Sequence, residues 1–237
     1  MSNQKLFVFD FDGTLVDSYS CLPDIFASIA RNTGLQGDAA SKFVNAMIEG
    51  EDRNDALRNY DRHTWWPTVF EQLHIYVSQE KLRQLIETHW ELRTSRSKVI
   101  NGAKDILRAL KNWGVFALAC ADDGQYGNKR KRIEKSGLRA FFDEVVITGE
   151  DVVNLTQAVA SLVERYGMAS SEVVVFNDKP YPINEISRNM KEVKTVKIEF
   201  ECIIKLAWAE ECTPTYRIRT IAEIKYLFDQ LSRSDKQ

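Results

Sequence analysis

The stretch that most restricts how this chain can fold is Leu6-Phe7-Val8-Phe9, followed at once by Asp10-Phe11-Asp12-Gly13-Thr14-Leu15. A short, wholly apolar run rich in Phe and Val suits a strand buried on both faces, as in a parallel sheet covered by helices. Asp10 and Asp12 are two residues apart, so in extended chain they point the same way. Gly13 permits a sharp turn, and Thr14 adds a hydroxyl beside the acids. Two neighbouring carboxylates repel, and a protein that pairs them normally supplies a cation or shares a proton between them. That pairing suits phosphoryl transfer: one carboxylate attacks phosphorus and the other protonates the leaving oxygen, with magnesium offsetting the charge.

The rest of the chain falls into two textures. From residue 16 to about 97 the apolar residues recur at helical spacing. Leu22, Ile25, Phe26 and Ile29 mark one helix, with Gly34 placed to stop it; Phe43, Met47 and Ile48 mark a second. Trp65, Trp66, Val69, Phe70 and Leu73 mark a third, with Pro67 acceptable in its first turn, and Leu82, Leu85, Ile86 and Trp90 a fourth. Only Ile75-Tyr76-Val77 hints at a strand in this block.

From Asn101 onward helices and strands alternate. Val115–Cys120, Val145–Ile147, Val173–Phe176, Val193–Ile198 and Tyr216–Ile218 are the strand candidates. Thr220 and Glu223 have capping-box spacing and open a final helix running to Leu231. Alternation of this kind implies right-handed crossovers and a doubly wound parallel sheet. The expected organisation is an α/β core of residues 1–16 and 98–237 with an all-helical cap of residues 17–97. Ligands of such sheets bind beyond the carboxyl ends of the strands. Acids stand at three of those ends: Asp10 with Asp12, Asp122 with Asp123, and Asp178.

With these motifs in place, the chain resembles the haloacid dehalogenase-like superfamily, in its phosphatase branch with a helical cap. The resemblance extends to about Leu231. It implies a Rossmann-like core, Asp10 as nucleophile and Asp12 as general acid and base. It also implies Mg2+ held between Asp10, the backbone carbonyl of Asp12, and Asp178, with Gly13 and Thr14 in the phosphate-binding turn. Aspartate at position 12 fits phosphotransfer better than dehalogenation, because a leaving alkoxide needs a proton and a halide does not.

The later motifs depart from the family pattern. The hydroxyl residue expected at the end of the middle strand is Ala121, beside Cys120 and Asp122, so phosphate contacts there fall to backbone N–H groups. Loss of one such donor typically costs about 3 kcal/mol of transition-state stabilisation. No lysine occurs from Thr148 to Glu164, where the family places one; Lys179 is the expected substitute. Asn177 stands where glycine is usual, and Asn184 and Glu185 are the nearest candidates for a second acid.

Other features narrow the function classes. Hydrophobic content of 44% in 237 residues is ample for a core, and a net charge of -2 gives no reason to expect nucleic acid or an anionic membrane as partner. No apolar run reaches membrane-spanning length and no secretory pattern opens the chain, and Cys21, Cys120, Cys202 and Cys212 lack metal-ligand spacing. These features suggest reduced thiols and a cytoplasmic protein. The run Asn128-Lys129-Arg130-Lys131-Arg132 reads as a solvated helix face. His63, His74 and His89 read as packing or surface residues, and Trp65 and Trp66 as packing between cap helices. Arg53, Arg58 and Arg62 are the cap residues to examine for substrate contact.

The expected function is therefore a magnesium-dependent phosphatase acting on a small phosphorylated metabolite through an aspartyl-phosphate. The alternative is a catalytically weakened relative serving as a metabolite-binding or regulatory module. A mutase on the same fold is a third reading.

Overall fold

The computed structural model describes residues 4–228. Leu231, the expected end of the final helix, lies outside the described residues; within them, the chain is helical from Ile221 to Phe228.

The opening apolar run is β1 (Lys5–Phe9), fully covered along its length. It lies at the middle of a six-stranded sheet with β4 (Gly114–Ala121), β5 (Glu144–Thr148), β6 (Val173–Asn177), β7 (Lys194–Ile198) and β8 (Tyr216–Ile218). The order across the sheet is β5-β4-β1-β6-β7-β8, and every pairing is parallel. Alternate residues of β1 feed different cores, as the two-residue period requires. Phe7 and Phe9 join Phe116, Phe176 and the helix α5 (Ala103–Leu110) on one face. Leu6 and Val8 join Ala117, Val175 and the helix α7 (Leu155–Tyr166) on the other. Phe9 stacks on Phe176 with ring centroids 4.4 Å apart, tying the two central strands together just before their acidic ends. The strand order places β1 between β4 and β6, so Asp10, Ala121 and Asp178 emerge at adjacent carboxyl ends.

A two-stranded antiparallel ribbon, β2 (Val16–Asp17) with β3 (Lys98–Val99), carries the chain out to the cap and back. Four cap helices follow the sequence reading: α1 (Leu22–Asn32), α2 (Gly37–Ala56), α3 (Arg62–Gln72) and α4 (Gln79–Arg96). Ile75-Tyr76-Val77 is an irregular connection, with Tyr76 exposed. Trp66, Phe26, Phe43 and Phe70 fill the cap's own apolar cluster, where His89 is also fully buried among aromatic rings.

The cap cluster also receives residues from outside the cap. Ile204, in the connection between β7 and β8, is buried within it, with Phe200, Cys202 and Trp208 at its edge. Asp52 of α2 accepts backbone N–H bonds from Lys205 and Leu206 at 2.8 and 2.7 Å. Cap and core also meet at Gly124, where a Cβ would stand 2.3 Å from the backbone nitrogen of Asp61. Glycine is required there both for that approach and for φ of +69°.

Candidate active site

Between the sheet's carboxyl edge and the cap lies a cavity of about 250 Å³, bordered by Asp10, Asp12, Ala121, Asp122 and Lys179 among others. Asp10 stands at its floor. Withdrawal from water, then the nearby Asp178 and Asp12 carboxylates, push the Asp10 carboxyl well above its ordinary range, while Lys129 pulls the other way.

Asp178 is fully buried and lies against the turn after β1. A Cβ at Gly13 would fall 2.1 Å from its Oδ2, so the absence of a side chain there is what lets the two strand ends close on each other. Thr14 Oγ1 donates to Asp178 Oδ1 at 3.2 Å, and Trp208 Nε1 donates to Oδ2 at 2.9 Å. Burial raises the Asp178 carboxyl to about 6, against the opposing effects of Lys179 and the Trp208 hydrogen bond.

Asp12 has a different environment. Although burial alone would raise its carboxyl, Arg132 and then Lys129 hold it well below the usual carboxylate range. Arg132 grips both Asp12 oxygens, and Lys129 Nζ bonds Oδ2. The same two cations reach Asp123 Oδ1, each at 2.9 Å. Asp123 is therefore also held low, against its burial, by Arg132 and then Lys129.

This cluster corrects two readings of the sequence. The basic run is only half solvated: Arg130 and Lys131 face water, but Lys129 and Arg132 are 4% and 3% exposed and turn inward from α6 (Asn128–Ser136). Positions three apart share a helix face, and Ile133, beside them on that face, is buried in the core. That apolar neighbour was the available signal. The cation whose charge acts on Asp10 is consequently Lys129. Lys179, the expected substitute, is committed elsewhere: its ammonium lies 2.7 and 2.8 Å from the two carboxylate oxygens of Asp55 in the cap, forming a core–cap strut.

The remaining candidates sort by their contacts. Ala121 ends β4 at the cavity wall and supplies no hydroxyl; Thr148, at the end of neighbouring β5, is the nearby wall residue that carries one. Asp122 is raised by burial, and its carboxylate packs where a Cβ on Gly149 would fall, 2.8 Å away. An acid in that position repels a phosphate unless protonated, so the contribution of Asp122 to phosphate binding would be through its backbone. Asn184 turns to Glu210 and to the carbonyl of Glu211, and Glu185 is occupied by Thr156 and Tyr181. All four cysteines are free thiols. Among the described residues no helix is long and apolar enough to cross a membrane.

The carboxylates of Asp10 and Asp178, close enough for one to raise the other, offer oxygen donors only. Among the described residues no three His, Cys, Asp or Glu side chains converge as a metal cage. Mg2+ needs no such cage, because it is commonly held by one or two carboxylates and keeps several waters. The carboxylate repulsion that raises Asp10 is what a divalent cation would relieve, so the residues fit that ion.

A doubly wound parallel sheet with paired aspartates after its first strand and an acid after β6, under an inserted helical block, defines a Rossmann-like α/β protein with its candidate site at the carboxyl edge of the sheet. The sequence profile of haloacid dehalogenase-like hydrolases matches residues 7–198, and the chain belongs to that family. Among solved structures, a predicted phosphoglycolate phosphatase from Haemophilus somnus aligns with a TM-score of 0.68 at 15% identity, covering 96% of this chain and 99% of its own. A candidate β-phosphoglucomutase from Thermotoga maritima aligns with a TM-score of 0.71 at 17% identity, covering 96% and 99%. YfnB of Bacillus subtilis, described as a HAD hydrolase bound to magnesium, aligns with a TM-score of 0.68 at 17% identity, covering 95% and 99%. At these identities the likeness carries the fold alone. No curated protein matches the chain.

Proposed function

We propose that this hydrolase is a magnesium-dependent phosphatase acting on a small phosphomonoester through an aspartyl-phosphate on Asp10. The observation that carries the reading is Asp10 itself, a cavity-facing carboxylate crowded by Asp178 and opposed by Lys129. An Asp10 oxygen attacks phosphorus and the bond from phosphorus to the substrate alcohol breaks. The ester enters as its monoanion and passes its proton to Asp12, which gives it to the departing oxygen and, again a carboxylate, takes one from the water that cleaves the acyl phosphate. Both steps need Asp12 released from its cations. An entering phosphoryl dianion competes for Lys129 and Arg132, and each contact it takes returns the Asp12 carboxyl toward its ordinary range. Mg2+ held by Asp10, Asp178 and the Asp12 carbonyl would offset the negative charge gathered there. The cavity is below the ~300–1,000 Å³ of pockets for drug-sized ligands, which favours a small metabolite.

A second reading, a relative that binds a metabolite with little turnover, draws support from the locked Asp12 and from Ala121. A panel of phosphomonoesters with and without Mg2+ separates the two. The phosphatase reading expects phosphate release from at least one ester, falling by at least about a hundredfold on chelation. Binding without release from any ester supports the second reading.

A further inference from the structure

The cap arginines singled out in the sequence have different fates. Arg62 is buried and, with Arg93, bonds Glu51; Arg53 is exposed and does not border the cavity. Arg58 stands exposed at the cavity's edge. The other cations bordering the cavity are each held by an acid of this chain: Arg62 and Arg93 by Glu51, Lys129 by Asp12 and Asp123, Lys179 by Asp55. Among the described residues the Arg58 side chain has neither an ion pair nor a hydrogen bond, and its guanidinium lies 3.1 Å above the ring of Tyr181. That ring is itself fixed, with its hydroxyl donating to Glu185 at 2.8 Å.

Helix α2 ends in a Schellman arrangement: Asn59 N–H bonds the Asn54 carbonyl at 2.8 Å, and Arg58 N–H bonds that of Asp55 at 3.0 Å. The residue at this place must be left-handed, and Arg58 has φ of +60°. Glycine fills such positions without strain, whereas Arg58 holds a long side chain there, as His74 does after α3. Arg58, Asn154 and Tyr181 also border a second, outer basin of about 570 Å³, further lined by Thr156, Gln157 and Asn184. A ligand reaching from Asp10 past Arg58 would enter polar surroundings in which Arg188 adds a cation and Glu185 and Glu210 are acids.

We infer that Arg58 is a specificity-determining residue that receives a second anionic group, carried on the alcohol portion of the phosphomonoester. The inference rests on the phosphatase reading for the orientation of the ligand. A guanidinium already stacked on a ring is pre-organised, and it presents its in-plane N–H fork to a carboxylate or phosphate.

Calorimetry on the full chain with Mg2+ tests this, using 3-phosphonopropionate, its neutral amide, and ethane-1,2-bisphosphonate. The carbon–phosphorus bond of each prevents turnover. The wild type should bind at least one of the two probes with an anion at both ends about 10- to 100-fold more tightly than the amide. Preference for the carboxylate or for the bisphosphonate identifies which anion the natural alcohol carries. Arg58→Gly should bind all three alike, and Arg58→Lys should keep part of the difference. Glycine relieves the left-handed strain but gives up the ring contact, so this variant should melt within about 2–4 °C of wild type. Equal binding of all three probes by the wild type, or undiminished discrimination in Arg58→Gly, overturns the inference. Failure of the phosphatase reading shows separately, as no phosphate release from any ester of the panel, 3-phosphooxypropionate included, while the binding difference persists.

Discussion

Two buried charge clusters face each other across the cavity, one in the core and one in the cap. In the core, Asp12 and Asp123 share Lys129 and Arg132, so acids and bases balance. In the cap, Glu51 alone holds Arg62 and Arg93, which leaves one positive charge in excess. Burying ions is costly unless each is paired and hydrogen-bonded. The balanced cluster spreads that requirement over four residues, whereas the cap cluster concentrates it on one carboxylate. The core arrangement therefore tolerates the loss of a member better, and it keeps Asp12 ionised until another anion arrives. The cap arrangement is fragile, and its surplus charge makes the roof of the cavity attractive to anions.

Breaking the cap cluster should have the larger effect. Glu51→Ala leaves two buried guanidinium groups without an acid and should destabilise the fold by about 3–5 kcal/mol in chemical denaturation. That is a large share of the ~5–15 kcal/mol typical of a folded domain. Arg132→Met should cost less, about 2 kcal/mol at neutral pH, because Lys129 still serves both acids.

The second variant also carries a pH signature. Asp12 and Asp123 have folded-state values below the ordinary 3.8, so their ionisation contributes stability that is present above that value and lost as pH falls through the folded values. Without Arg132 both folded values rise. The acid-side loss of stability should then begin at higher pH than in wild type, and the gap between the two proteins should narrow under acid. A gap that is constant with pH would mean that Arg132 contributes packing rather than charge.

Much of this architecture is legible in the sequence because it rests on periodicity. The helical spacing from Leu22 to Trp90 gives the cap, and the apolar runs after Asn101 give the strands of the sheet. The convergence of Asp10 with Asp178 follows from strand order, and the contacts of Gly13 and Thr14 with Asp178 agree with it. The inward turn of Lys129 and Arg132 was obscured because four consecutive bases look uniformly solvated unless Ile133 is read with them. The commitment of Lys179 to Asp55 is a tertiary pairing across 124 positions, which local sequence does not encode. Nor does any period mark Ile204 and Trp208, which leave an irregular connection to complete the cap cluster and hold Asp178.

The central claim is that Asp10 carries the phosphoryl group during turnover. Acid-quenching the enzyme during hydrolysis of a radiolabelled phosphomonoester with Mg2+, then mapping the label by peptide, tests it most directly. The account predicts hydroxylamine-labile label on the peptide containing Asp10 and none in Asp10→Asn, which should also lose turnover. Full magnesium-dependent turnover by Asp10→Asn, or label on a different residue, would contradict it.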